Sequence, residues 1–501
     1  MHNTRTNHSV KGMFLTGIVL MIYSCGITKR SFQVSSDTLE ELPMNYLVEK
    51  DSSERFVASE PIIAWWEAFE DPVLDTLIGN ARLENLDINA AIANFQASRA
   101  LVKRTKFDRF PTVDANGSFS RQRLGQNIFA SGVNPTFSQY DGSFDAFWEI
   151  DLFGRVKNRI KGAKGAEQAT LAEMQHIYLS IFAEVARNYM ELRGVQNQLT
   201  IAMENLHSQQ ETFELTERLA NAGTSNSLDV SRAKAQLETT RATIPPLRAT
   251  ITAIINRLSV LTGKIPGTLE TDLLQQRPLP SLPVSVLVGN SVDLIHRRPD
   301  IMRAESELAQ QIARYNISVA ELYPKITFGG TVGFSAIDFN SFGDNESFTW
   351  GLAPSINWAA FNLGRVKKNI DQQDGLTLAL VNSYEKTVLR ALEEINTAMS
   401  NYTLELERLS MLKEAAKASA EAAKFAGQRY EAGLDDFLDY LNAEQTLLIA
   451  QNQLAISETR SATNLIAIYK ALGGGWEIIS EEEINTKYAK MKENDSSKNK
   501  K

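Results

Sequence analysis

One cysteine, Cys25, occurs in the 501 residues, so neither an intrachain disulfide nor a multi-cysteine zinc site can form. Beyond the first two dozen residues there is no run of about 20 apolar residues, so no helix can cross a bilayer. Positive charge is scarce: 52 Lys and Arg face 60 Asp and Glu, a net charge of -8. No broad basic patch is present, which argues against nucleic acid as a partner. Of the five histidines, His2 and His8 lie at the extreme N-terminus and His176, His207 and His296 are scattered. No metal-ligand spacing, nucleophile elbow or nucleotide fingerprint accompanies them. The reading is therefore not an enzyme, with no cofactor and no metal. Proline is missing from two long stretches, Gly154 to Gly223 and Gly364 to Gly433.

What is present begins with a targeting segment. Arg5 and Lys11 precede an apolar run, Met13 to Tyr23, and small residues follow in Ser24-Cys25-Gly26. That is a secretory signal layout over residues 1–24, too short to span a membrane. A cysteine in this position resembles a relaxed lipobox, which makes Cys25 the expected acylated first residue of a lipoprotein. A plain signal peptide with an incidental cysteine is the alternative. Stable anchoring takes more than one acyl chain, and a triacylated cysteine supplies it. At the other end, Lys487 to Lys501 is rich in Lys, Ser and Asn, the composition of a disordered tail.

The chain also repeats itself. Gly154-Arg155-Val156-Lys157 returns as Gly364-Arg365-Val366-Lys367, and Gly223, Leu228 and Asp229 return as Gly433, Leu438 and Asp439. The period is far too long for a solenoid, so the chain is a duplicated half-domain.

Four segments alternate with period two. In Ser143 to Leu152, Phe144, Ala146, Trp148, Ile150 and Leu152 share one face, and Ser143, Asp145, Glu149 and Asp151 the other, with Phe147 the exception. Lys325 to Ala336, Ser347 to Trp358 and, more weakly, Thr112 to Arg121 alternate in the same way. Each has the length of a tilted membrane strand. One apolar and one polar face is the barrel pattern, although half-buried hairpins of a soluble sheet share it. Trp148, Trp350 and Trp358 near strand ends favour the membrane, where Trp collects at interfaces. Four strands cannot close a barrel, and open edges do not survive in lipid. Two copies would give a filled eight-stranded barrel. Three would give twelve strands around a wet lumen, which Glu149, Asp151 and Lys325 suit better.

The proline-free stretches are rich in helix formers and would each run roughly 100 Å. Return helices follow, Leu228 to Leu261 and Leu438 to Leu472, after tight turns at Gly223-Thr224-Ser225 and Gly433-Leu434-Asp435. Gly223 and Gly433 suit the left-handed residue past a helix end. Ser225 or Ser227, and Asp435 or Asp436, are candidate caps. The bends from strand to long helix fall at Gly154-Arg155 and Gly364-Arg365, where glycine permits a sharp change of direction. Arg297-Arg298-Pro299-Asp300 reads as a helix start with Pro in the first turn.

Taken in order, Trp65-Trp66-Glu67-Ala68-Phe69, WEIDLFGRVKN (Trp148 to Asn158), RLANAGTSNSLDVSRAKAQL (Arg218 to Leu237), RRPDI (Arg297 to Ile301), AELYPKI (Ala320 to Ile326), RYEAGLDDFLDYLNAEQTLL (Arg429 to Leu448) and YKALGGGW (Tyr469 to Trp476) resemble the TolC-like outer membrane efflux factor family, lipoprotein branch. The resemblance covers about residues 60 to 476 and implies a mainly α fold with a membrane β-barrel. The expected assembly is a trimeric channel-tunnel, four strands per protomer in a twelve-stranded barrel continued by a long α-helical barrel. The corresponding organisation is signal peptide 1–24, lipidated extended segment 25–72, first repeat 73–265, linker 266–286, second repeat 287–476 and an equatorial or disordered tail 477–501. Implied partners are two further copies, a periplasmic adaptor, an inner-membrane transporter of the resistance-nodulation-division class, and outer membrane lipids. The turns at Gly223, Thr224, Ser225 and at Gly433, Leu434, Asp435 become the adaptor contact. Acidic residues near that tip line a constricted ring in the family, and equal counting back from the two glycines selects Glu204 and Glu414. The implied function is a passive conduit of a tripartite efflux system. A type I secretion channel and a non-conducting coiled-coil lipoprotein are the alternatives.

Overall fold

The computed structural model describes residues 30, 55–57, 59, 63–123, 125, 136–223, 225–289 and 297–498. The signal segment, Cys25 and Thr224 lie outside them. The first repeat supplies helices α1 (Pro72–Glu84) and α2 (Leu86–Lys106), strands β1 (Thr112–Arg123) and β2 (Thr136–Ile150), the 67-residue helix α3 (Arg155–Asn221) and the return helix α4 (Ser227–Leu261). The second supplies α5 (Pro299–Ala320), β3 (Lys325–Ala336), β4 (Phe348–Asn357), the 69-residue α6 (Leu363–Glu431) and its return helix α7 (Phe437–Ala471). Helix α8 (Glu481–Lys498) follows.

By contact density the chain forms two units that cut across the repeats. One contains residues 97–168 and 305–383, the other 36–96, 169–304 and 384–501. The first holds all four strands, in one antiparallel sheet of order β1-β2-β3-β4. The second holds the main apolar core, in which Trp65 stacks on Tyr469 (5.3 Å between centroids) and Trp66 meets Phe182 edge-on at 5.2 Å. These two tryptophans are packing residues. A short parallel ladder, Phe56–Val57 with Val286–Leu287, ends the linker inside this unit.

Two expectations change. The tail is helical as far as Lys498: Ile484 is buried, Tyr488 and Met491 pack beside it, and Lys487 donates to the Arg82 carbonyl at 2.7 Å. Asp151 and Leu152 lie beyond the strand. The Asp151 carboxylate accepts from the amides of Val156 and Lys157 (3.0 and 2.7 Å), capping the free N–H groups of α3. The return helix α4 is found where it was expected, and it runs on through Pro245 and Pro246, where each ring removes a backbone donor.

Candidate functional site

Cross-strand register places like with like on the sheet. Thr112 faces Phe147, Asp145 faces Thr331, and Thr331 faces Gly351. One face therefore carries Asp114, Asn116, Ser118, Asp141, Ser143, Asp145, Thr331, Ser335, Ser355 and Asn357. Its side chains bond to one another. Asp145 accepts from Asn116 Nδ2 (2.7 Å) and Ser143 Oγ (2.9 Å), and Asp141 from Ser335 Oγ (2.7 Å) and Gln139 Nε2 (3.0 Å). Such a hydrogen-bonded, acid-rich surface belongs in water. Phe147 is the apolar member of this face, and Lys325 Nζ sits 5.9 Å from its ring centre.

The opposite face carries Val113, Phe119, Phe144, Val332, Trp350, Leu352 and Ile356, all exposed, Trp350 to 69%. An uncovered apolar surface of this extent marks contact with a membrane or protein. Aromatics cluster at its two ends. At one, Tyr140 packs on Phe119 and Phe339 (4.9 and 5.4 Å), and Phe342 would touch any side chain placed at Gly142. At the other, the indoles of Trp148 and Trp358 donate to the carbonyls of Arg109 and Leu322, both at 3.0 Å. Eight residues separate Trp148 from Tyr140, about 27 Å along a strand, the height of the apolar band of an outer-membrane barrel. Both outer strands, β1 and β4, have an unpaired edge among the described residues.

The bends differ between repeats. Gly154 takes φ 81, and Arg155 just after it forms a two-pronged ion pair with Glu149. Gly364 has no positive φ and lies in the first turn of α6, so it does not make the turn expected of it. The direction changes instead before Leu363, with the Asn362 amide donating to the Ala359 carbonyl at 2.8 Å. Arg365 makes no ion pair among the described residues, because the position matching Glu149 is Ala359.

At the long-helix ends, Gly223 (φ 77) and Gly433 (φ 68) adopt the left-handed conformation. The Leu434 amide donates to the Arg429 carbonyl, and the Gly433 amide to that of Tyr430, both at 2.9 Å, which satisfies the terminal carbonyls of α6. Asn226 is the cap of α4, accepting from the Asp229 amide at 2.9 Å in place of Ser225 or Ser227. Asp435 does not cap α7. It holds the Arg429 guanidinium with two bonds of 2.5 and 2.7 Å, and that cation keeps its carboxyl below the usual range. Glu204 and Glu414 are exposed on α3 and α6. Neither makes an ion pair among the described residues.

Nearby is a half-buried carboxyl that sequence reasoning missed. Glu444 on α7 accepts from Tyr440 Oη (2.8 Å), whose hydroxyl also meets Thr212 Oγ1 of α3 at 3.0 Å. Burial pushes the Glu444 carboxyl up, against the pull of its Tyr440 and Ser208 bonds. Near the other end of the chain, Arg30 is docked on α5. Its amide donates to Asn316 Oδ1 (3.0 Å) and its guanidinium pairs with Asp374 at 2.5 Å.

The family model described as outer membrane efflux protein matches residues 77–264 and 291–474. The chain belongs to the outer membrane efflux protein family. Among its relatives, the probable efflux pump outer membrane protein TtgC of Pseudomonas putida is 30% identical over 415 residues, 82% of this chain and 85% of that one. Among solved structures, the outer-membrane channel OprN superposes with TM-score 0.81 at 36% identity, covering 85% of this chain and 95% of that one. The open state of the Neisseria gonorrhoeae outer membrane channel MtrE gives 0.74 at 27% identity, covering 85% and 95%. This efflux protein therefore has the mainly α, barrel-containing fold of the trimeric TolC-like channel-tunnels. It is an outer membrane channel subunit of an efflux system, a passive conduit and not an enzyme.

Proposed function

We propose that three copies of this efflux protein pool their sheets into one twelve-stranded barrel, and that the conduit so formed receives its cargo from a periplasmic adaptor and an inner-membrane transporter of the resistance-nodulation-division class. The observation that carries this is the sheet. It has two free edges, one face of exposed apolar side chains and one of hydrogen-bonded acids and hydroxyls. In lipid the edges must be paired, and pairing β4 of one copy with β1 of the next leaves none. Each repeat, 73–265 and 287–476, then supplies one hairpin to the wall and one turn to the pump-facing tip. The tip residues, Gly223, Thr224 and Ser225 with Gly433, Leu434 and Asp435, are the adaptor contact. Exposed Leu434 next to the Arg429–Asp435 ion pair supports that role. Cys25 is the acylated residue.

Glu204 and Glu414 form the gate: three copies of each concentrate negative charge and favour cations. Planar-bilayer recording tests it. Glu204→Ala with Glu414→Ala should raise closed-state current and weaken cation preference. Unchanged values of both would remove the gate from these residues. For the closure itself, sedimentation in detergent should give a trimer, and a folded, non-conducting monomer would end the proposal.

A further inference from the structure

The two hairpins are register copies of each other. Advance β1 residues by 213 positions and β2 residues by 210, the spacings of Pro111 to Pro324 and Gly154 to Gly364. Thr112 opposite Phe147 then becomes Lys325 opposite Asn357. Val113 opposite Ala146 becomes Ile326 opposite Ile356, and Ser120 opposite Gln139 becomes Gly333 opposite Thr349. Each pair of β3–β4 is reproduced in this way. The chain also contains one seam that joins hairpin to hairpin, β2 to β3, in which Asp145 faces Thr331 and Phe147 faces Gly329. Two superposable hairpins and one internal seam are together a template for a seam that a lone chain cannot show.

We infer that the seam between neighbouring copies repeats the internal seam: β4 of one copy runs antiparallel to β1 of the next, with Ser355 opposite the neighbouring copy's Ser118 and Asn357 opposite its Asn116. The inference rests on the threefold closure proposed above and adds the register, which closure alone leaves open. Two observations made independently of the template agree with it. All four named residues are on the hydrogen-bonded face, and on the apolar face Pro354 falls opposite Phe119. A slip of one residue would turn Asp114 and Asp145 toward lipid.

Slips of two residues keep the faces and are the real competitors. Cysteine pairs separate them, since directly opposed Cβ atoms lie about 4.5–5.5 Å apart and diagonal ones about 7–8 Å. The full-length chain in outer membranes is oxidised and run under denaturing, non-reducing conditions, with the parent chain as the control for Cys25. Ser355→Cys with Ser118→Cys should give covalent trimer, and so should Asn357→Cys with Asn116→Cys. Ser355→Cys combined with Ser120→Cys, or with Asn116→Cys, should give at least about tenfold less. An off-register pair that cross-links as well as the opposed one overturns the register and leaves threefold closure standing. So does a trimer by sedimentation that yields no cross-link at either opposed pair. Absence of a trimer in the parent chain removes closure and the register together.

Discussion

The last carbonyl of each return helix is met by the start of its own repeat's short helix, and the two repeats do this with different chemistry. In the first, Asn85 Nδ2 donates to the Leu261 carbonyl at 2.9 Å while its Oδ1 caps the amides of Asp87 and Ile88. In the second, Arg298 Nη1 donates to the Ala471 carbonyl at 2.7 Å, and the same guanidinium is held by Asp300 and Glu394. Duplication has kept the backbone meeting point and released the side chains. The requirement that survives is that a buried polar atom must find a partner. A neutral amide needs two or three bonds to satisfy it. The Arg298 guanidinium is held by Asp300 and Glu394, so the charged solution here brings two acids with it.

The contrast can be broken most forcefully at that pair. Arg298→Met leaves Asp300 short of a partner and the Ala471 carbonyl bare, and should cost about 3–5 kcal/mol. Asn85→Ala loses a cap and one buried bond, about 1–2 kcal/mol. Denaturant unfolding of the solubilised protein measures both, and equal costs would mean that charge adds nothing to the second repeat. The pH dependence should follow. Burial works against the Asp300 charge, but the Arg298 bonds outweigh it and hold this carboxyl below its ordinary value. Its contribution is complete above the unfolded value of about 3.9 and is lost as pH falls through the lower folded one. In Arg298→Met the acid limb of the stability curve should flatten.

A smaller effect is expected where the long helices meet their surroundings. A side chain at Gly194 would come within 2.0 Å of Thr459 Oγ1 on α7, whereas the matching Leu404 is 59% exposed. Gly194→Leu should cost about 1–3 kcal/mol by overpacking. Leu404→Gly should cost only about 1 kcal/mol, through lost helix propensity. A benign Gly194→Leu in a thermal melt would show that this contact yields.

The smallest concerns the pair Glu444 and Lys234. Glu444 is half-buried with its pKa raised by desolvation, so the folded state is penalised above that value and the penalty lifts as pH falls. Glu444→Gln should stabilise by about 1 kcal/mol at pH 8, and the gain should shrink toward pH 5. Lys234 is exposed, and Lys234→Gln should stay within about 0.5 kcal/mol. Melting temperatures across pH sharpen the comparison. A pH-independent difference for Glu444→Gln would mean that its proton is not involved.

The strands were the most legible part of the fold. β3 matches the alternating run Lys325 to Ala336, and β1 begins at Thr112 as read, because a face exposed to one medium imposes period two directly on the residues. The first seven residues of β2, Thr136 to Gly142, escaped because Gly142 is covered by Phe342 from a loop some 200 positions away. The tail escaped for a different reason. Its polar composition hid Ile484, Tyr488 and Met491, whose helical spacing was readable all along. Asn226 caps α4 at the place that matches Asp436 before α7, and only the side-chain bond to Asp229 tells it from Ser225 and Ser227; Glu444 carries no local pattern, because its setting depends on Tyr440 and Ser208.

By itself, the chain's order of residues determined the duplication, the four two-faced strands, the two long helices and the need for further copies. Those properties follow from periodicities that the backbone enforces over a few residues. Only the tertiary structure decided which glycine bends, which side chain meets each helix end and which carboxyl loses its water. Each of these depends on an atom brought near from far along the chain, and the duplicated halves were free to answer it differently.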